Sequence, residues 1–304
     1  MKRRSFLKTT AVAMGSTLVS KVPVNAADSN SGIKSTKRIE LAVATICVDG
    51  FGHHRHEPSF RLIPQTPFKN VEFNLWYPET ITPRYLEDLK KRCDISGLKP
   101  ISLQGSGFGG EGNSGIIKDI SHKLTLMHGC QQMGCDIVKC TGARRGTQGG
   151  LESLIKVLKE LAPAAESMGK LLVLENHANN VLERMEDYEA IFEKIDSPNV
   201  GMCLDTGHFE GVNVDLLEVI NRFKDRILHV DLKDCRQRGA GHDTVVFGQG
   251  VTDFKGFLDH LISSGYSGYL VIEQAWREPR EPLVQNLTNA WNLFSPYQSS
   301  SSFK

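Results

Sequence analysis

The sequence predicts an α/β fold, a single-domain (β/α)8 TIM barrel. Three observations carry that expectation: a chain of 304 residues, enough for one large core; eight short apolar runs from residue 39 onward; and helical patterns between most of them. The strand candidates are 39–46, 71–76, 99–104, 136–140, 171–175, 200–205, 227–232 and 269–273. An open doubly wound sheet is the alternative, but no Gly-x-Gly-x-x-Gly follows a strand, and the glycines of 105–112 are too irregular to count.

In chain order, the crossover at 50–70 is short and contains proline, which predicts a degenerate first helix. Helices are then expected at 84–96, 115–133, 151–168, 185–195, 215–223 and 254–264. Leu154, Val157, Leu158 and Leu161 keep the 3.6-residue period on one face. The barrel is expected to span 39–295, and the tail 296–304, with its serines at 299–302, to fray.

The first residues read Lys2-Arg3-Arg4-Ser5-Phe6-Leu7-Lys8, then a modestly apolar stretch at 11–19, then Val24-Asn25-Ala26 as a small-residue cleavage site. That order matches a twin-arginine export signal over 1–26, followed by a polar linker over 27–38. The expectation is export in folded form to the periplasm, which suits a protein that acquires a metal before it crosses. All seven cysteines lie beyond the signal, so they cannot all pair. The step of five at Cys130, Cys135 and Cys140 matches no metal-ligand spacing, so buried thiols are expected.

Composition excludes whole classes. With 40% hydrophobic and 23% charged residues the chain is neither disordered nor collagenous, and no apolar run approaches the length of a membrane span. Residues 1–26 hold five basic groups and no acid; without them Lys and Arg number 31 against 35 Asp and Glu. A mildly acidic mature chain lacks the basic face that nucleic acid requires.

The informative half begins at residue 171, where four strand candidates end in acid: Glu175, Asp205, Asp231 and Glu273. In a barrel those ends share the face on which active sites are built. Two like charges about 4 Å apart repel by roughly 4 kcal/mol at an effective dielectric near 20, so converging carboxylates need a cation or protons. The bland alternative is acids capping helices or pairing with Lys233, Arg236 or Arg238. Period-two alternation places His177 beside Glu175, and His229, Asp231 and Lys233 on one side of their strand. Gly207 permits a turn that would bring His208 back over Asp205. Three histidines near a carboxylate cluster favour ligand or acid–base roles. Glu72 and Asn74 share a strand face and Gln104 ends the third strand, where they could bind hydroxyls as readily as brace loops. The His53-His54-Arg55-His56-Glu57 loop is a candidate metal site, substrate cover or plain loop. Arg144 and Arg145 could receive an anionic group.

These motifs resemble the xylose isomerase-like TIM-barrel superfamily of sugar isomerases, epimerases and inosose dehydratases. The resemblance rests on Leu174-Glu175-Asn176-His177, Leu204-Asp205-Thr206-Gly207-His208, His229-Val230-Asp231-Leu232-Lys233-Asp234, Gly248-Gln249-Gly250 before Asp253-Phe254, and Ile272-Glu273. It implies a divalent ion held by Glu175, Asp205 and Glu273. The fourth ligand is normally a strand-seven His; here that position is Asp231, with His229 two residues earlier, so either Asp231 is the ligand or His229 replaces it. Four carboxylates would favour Mn2+, Mg2+ or Ca2+ over Zn2+, with Zn2+ or Co2+ as the alternatives to Mn2+ and Mg2+. The resemblance also implies that Glu175 and Glu273 exchange protons with a substrate carbon through an ene-diolate, that His208 binds substrate or shuttles a proton, and that His177, His229 and Arg236 contact substrate.

The expected function is a metal-dependent sugar isomerase or epimerase acting beside a carbonyl. The alternatives are a lyase or hydratase acting on a keto sugar, metal-dependent phosphodiester cleavage, and a non-catalytic sugar-binding barrel. The expected partner is a small sugar, with no nucleic acid and no membrane span.

Overall fold

The computed structural model describes residues 38–241, 243–276 and 280–299. They fall in one compact unit that begins at Lys37. The export signal expected at 1–26, nearly all of the linker and the last five residues of the tail lie outside the described residues.

Eight parallel strands close into a barrel: β1 Ile39–Ala44, β2 Asn70–Leu75, β3 Lys99–Gly105, β4 Ile137–Cys140, β5 Leu171–Glu175, β6 Val200–Asp205, β7 Ile227–Leu232 and β8 Gly268–Ile272. Each pairs with its neighbours in sequence, and β8 closes on β1 through Ile39 opposite Gly268 and Val43 opposite Ile272. All eight strand candidates are therefore strands, displaced by two residues at most. Long helices at Pro83–Ser96, Gly112–Met133 and Gly150–Met168 follow β2, β3 and β4. The crossover after β1 is degenerate, as its prolines predict: helices Ile46–Asp49 and Glu57–Leu62 and a 3-10 turn Ile63–Gln65 replace one long helix.

The main core lies between the sheet and the helices, where Leu154, Val157, Leu158 and Leu161 meet the outward residues Leu172 and Leu174. Inside the barrel Ile137, Val173 and Cys203 form an apolar layer one inward step below Lys139, Glu175 and Asp205. The start of the tail does not hang free. Ile39 donates its N–H to Ser299 Oγ at 2.7 Å and accepts from Ser299 N at 3.0 Å, which ties residues 295–299 to β1. All seven cysteines are buried and unpaired. No helix among the described residues is long and apolar enough to cross a membrane.

Candidate active site

Side chains alternate along a strand, so each inward residue of the apolar layer is followed two positions later by another inward side chain. Ile137 is followed by Lys139, Val173 by Glu175, Cys203 by Asp205, His229 by Asp231 and then Lys233, and Val271 by Glu273. All of these polar side chains are buried, as is Glu72 from β2. Glu175, Asp205, Asp231 and Glu273 do converge, with one oxygen from each within 4.8 Å of the others.

Two lysines lie among them. The Lys139 ammonium is 2.6 Å from Glu72 Oε1, 2.6 Å from Asp231 Oδ2, 2.8 Å from Glu273 Oε2 and 3.9 Å from Glu175 Oε2. Lys233 donates to Asp205 Oδ2 at 2.6 Å and sits 3.6 Å from Glu273 Oε1. Lys139 is the functional residue that the sequence reading passes over. Its signal was a lone lysine in a four-residue apolar strand, at the inward parity of Ile137.

Burial and these charges push the carboxyls apart. Desolvation raises Glu175 to about 8 against the pull of Lys139. Glu273 is equally desolvated, but Lys139 and Lys233 together hold it well below the usual carboxylate range. Burial raises Asp205 and Asp231, while Lys139 and His229 outweigh burial at Glu72 and lower it. Lys139 and Lys233 are held charged because the surrounding carboxylates outweigh their desolvation.

Above this cluster opens a cavity of about 310 Å³. Glu175, Glu273 and Lys233 form its floor; Gln104, Thr141, His177, Asn180 and His208 line its polar wall, and Phe51 and Trp76 its apolar wall. The last two rings stack with centroids 5.5 Å apart. The His177 and His208 rings lie 3.8 Å apart, and Asp205 Oδ1 caps the helix that carries His208 by accepting from the His208 backbone N–H at 2.9 Å. Gln104 donates to Glu175 Oε2 at 2.8 Å and accepts from Asn74 Nδ2, whose own carbonyl oxygen takes the Thr45 hydroxyl. Gln104 thus both lines the cavity and fixes Glu175.

Other expected residues lie elsewhere. Glu72 and His229 are not cavity-lining: His229 Nε2 meets Glu72 Oε2 at 3.1 Å in the barrel interior, and Ser102 donates to the same oxygen at 2.7 Å. Arg236 is half-exposed and pairs with Asp243 at 2.6 Å. In the His53–Glu57 loop, His56 is buried against Asp49 at 2.9 Å and His54 pairs with Glu79, while Phe51 just ahead of them covers the cavity. Arg145 pairs with Glu183 and Asp187, so it offers no open anion site. Gly207 is not at a turn. It opens the short helix Thr206–Gly211, and an added Cβ would lie 2.7 Å from Lys233 Cγ, so its role is to admit that lysine.

Residues 60–291 match the family described as xylose isomerase-like TIM barrel. The chain belongs to this family. The inosose dehydratase of Histophilus somni is 26% identical over 238 residues, covering 67% of this chain and 77% of that protein. Several other curated inosose dehydratases, including that of Lacticaseibacillus casei at 28% identity, match over 46–49% of their length, so the chain spans about half of them. Among solved structures, the IolI protein with a bound zinc atom superposes with a TM-score of 0.72 at 20% identity, covering 86% of this chain and all of that one. A D-allulose 3-epimerase from Methylomonas sp., solved with D-allulose, gives 0.72 at 16% identity over 86% of this chain and 98% of that one. At such identities the superpositions speak for the fold.

The donor chemistry of this xylose isomerase-like barrel fits a divalent cation. Oxygen ligands about 2.0–2.6 Å from an ion lie up to about 5 Å from one another, the separation seen in the carboxylate group. Five buried carboxylates face two ammonium groups, which leaves an anionic surplus, and Asp231 Oδ1 is buried with no hydrogen-bond partner.

Proposed function

We propose that the barrel is a divalent-metal-dependent isomerase or epimerase of sugar-like polyols, exported to the periplasm, that removes and returns a proton on the carbon beside a carbonyl. The observation that carries this reading is the pair of carboxylates, Glu175 and Glu273, side by side on the floor of a sugar-sized cavity. Glu175, Asp205 and Glu273 would hold the ion. When bound, a divalent ion supplies Lewis-acid stabilisation of charge on a substrate oxygen.

The chain's own groups do the rest. One of the two Glu carboxylates takes the carbon-bound proton and the other returns it. Lys233 offers an ammonium at the same floor, where negative charge would develop on an ene-diolate. His177, His208 and Asn180 present polar atoms to hydroxyls, and the Phe51–Trp76 wall offers an apolar surface to one face of the substrate. Gln104 keeps Glu175 oriented through its 2.8 Å hydrogen bond.

A second reading, loss of water from a keto sugar, is favoured by one observation. His208, Asp205 and Glu175 offer ligand or proton-bearing atoms within 4.8 Å of one another, so an imidazole stands where a leaving hydroxyl would need a proton. Incubating the protein with Mn2+ and a panel of keto sugars and keto-inositols separates the two. A product of unchanged mass supports isomerisation or epimerisation, and a product lighter by one water supports the lyase. No conversion of any member would refute both.

A further inference from the structure

Resting on the metal-dependent reading above, we propose that Lys139 is a resident cation of this site. Its ammonium fills the deep part of the carboxylate cluster and commits Asp231 to itself, leaving a divalent ion only Glu175, Asp205 and Glu273. The Lys139 ammonium donates to Asp231 Oδ2 at 2.6 Å and to Glu273 Oε2 at 2.8 Å, and pairs ionically with Glu72 Oε1 at 2.6 Å. Asp231 is equally committed: the oxygen that meets Lys139 also accepts from Cys203 Sγ at 3.1 Å. Its remaining oxygen, Oδ1, belongs to the group that could hold an ion, yet an ion reaching it would stand beside the lysine and be repelled.

The cavity draws a similar boundary. Glu175 and Glu273 line it, and Asp205, itself fully buried, groups with the lining residues Glu175 and His208, whereas Asp231, Glu72, His229 and Lys139 are fully buried and do not line it. His229 belongs to the same lower cluster: its Nε2 meets Glu72 and lies 3.8 Å from Asp231 Oδ1. The lower cluster of Glu72, Lys139, His229 and Asp231 is thus neutralised from within by the lysine, and the upper three carboxylates are the part left to a cation. Lys139 would also hold the barrel's acids together when no ion is bound.

The test compares the wild-type protein with the double variant Lys139→Met/Asp231→Leu, which replaces one buried charge of each sign by an apolar side chain of similar volume and so leaves the net charge of the cluster unchanged. Mn2+ binding to chelator-stripped protein is measured by calorimetry, and melting with and without EDTA verifies folding. The expected result is one Mn2+ site in each protein, with the double variant binding at least as tightly as wild type. A wild type that binds and a folded double variant that has lost about a hundredfold or more in affinity would overturn the proposal while leaving the metal-dependent reading intact, because Asp231 would then be a ligand. Binding by the double variant alone would support Lys139 as the resident cation and overturn the metal-dependent reading of the native chain. Binding by neither would overturn both. As a second measurement, Lys139→Met alone should lower the melting temperature in EDTA and recover it with Mn2+; equal melting under both conditions in that variant would count against the proposal.

Discussion

Glu175 and Glu273 stand at the ends of β5 and β8 and converge across the barrel, yet their surroundings differ: Glu273 touches both lysines, whereas Glu175 is held by a neutral amide. Replacing either by Gln keeps the shape and removes the proton carrier, so each variant should retain the fold and lose at least about a hundredfold in turnover on any accepted keto sugar. Circular dichroism and steady-state kinetics together check this; a Glu273→Gln variant of full activity would exclude the assignment. The thiols give an independent check on packing. Burial raises Cys47 and Cys93 to about 12, and all seven cysteines are buried, so native protein at pH 8 should resist alkylation that goes to completion in denaturant. At this scale the acids were legible because each closes an apolar run at a strand end. Lys139 was not, since one lysine in a short strand looks like a surface residue until the barrel closes around it. Nor was the fate of Arg236, which depends on a loop partner, Asp243, that no strand pattern places.

Between residue and fold, polar side chains extend the sheet beyond its regular strands. Asn176 accepts from Asp205 N at 2.7 Å and donates to Asp205 O at 2.9 Å, continuing the β5–β6 ladder. Thr206 does the same for β6 and β7 by donating to Lys233 O at 2.8 Å and accepting from Lys233 N at 2.9 Å. Gly207 then leaves room for the Lys233 stem, so Gly207→Ala should cost about 1–3 kcal/mol of stability and lower turnover more than tenfold by displacing the ammonium. Thermal melting and kinetics read both. The loop at 248–252 hangs on Asp234, whose carboxylate accepts from Gly248 N at 2.9 Å and Gly250 N at 3.0 Å. That explains why the Gly-Gln-Gly motif follows the Lys-Asp step: it hangs on Asp234, while Lys233 faces the cavity.

The helix Gly112–Met133 carries a pH dependence. Burial, and then Lys123 beside it, lower His122 to about 4 from 6.5. Its ring is therefore neutral in the folded state while the unfolded chain takes up a proton. Stability from this group is complete above about pH 6.5 and is lost as pH falls toward 4. His122→Gln should flatten the melting profile between pH 7 and 5; an unchanged slope would show that the group is not buried in solution. Helix positions were legible from periodicity within a few residues, and the errors lie at their ends, where caps rather than apolar spacing decide.

At the scale of the whole molecule, the sequence foretold the closed barrel because β/α alternation is a long-range pattern that local misreadings do not disturb. The cavity's apolar wall was less legible, since Phe51 and Trp76 come from separate βα segments that only the closed barrel brings together. The central claim, that this barrel moves a carbon-bound proton beside a carbonyl, is tested most directly by NMR of keto sugars and keto-inositols incubated with the Mn2+-loaded protein in D2O. Deuterium should appear at the carbon next to the carbonyl with wild type and fall to background with Glu175→Gln or Glu273→Gln. No incorporation into any substrate, or incorporation that survives both substitutions, would contradict it.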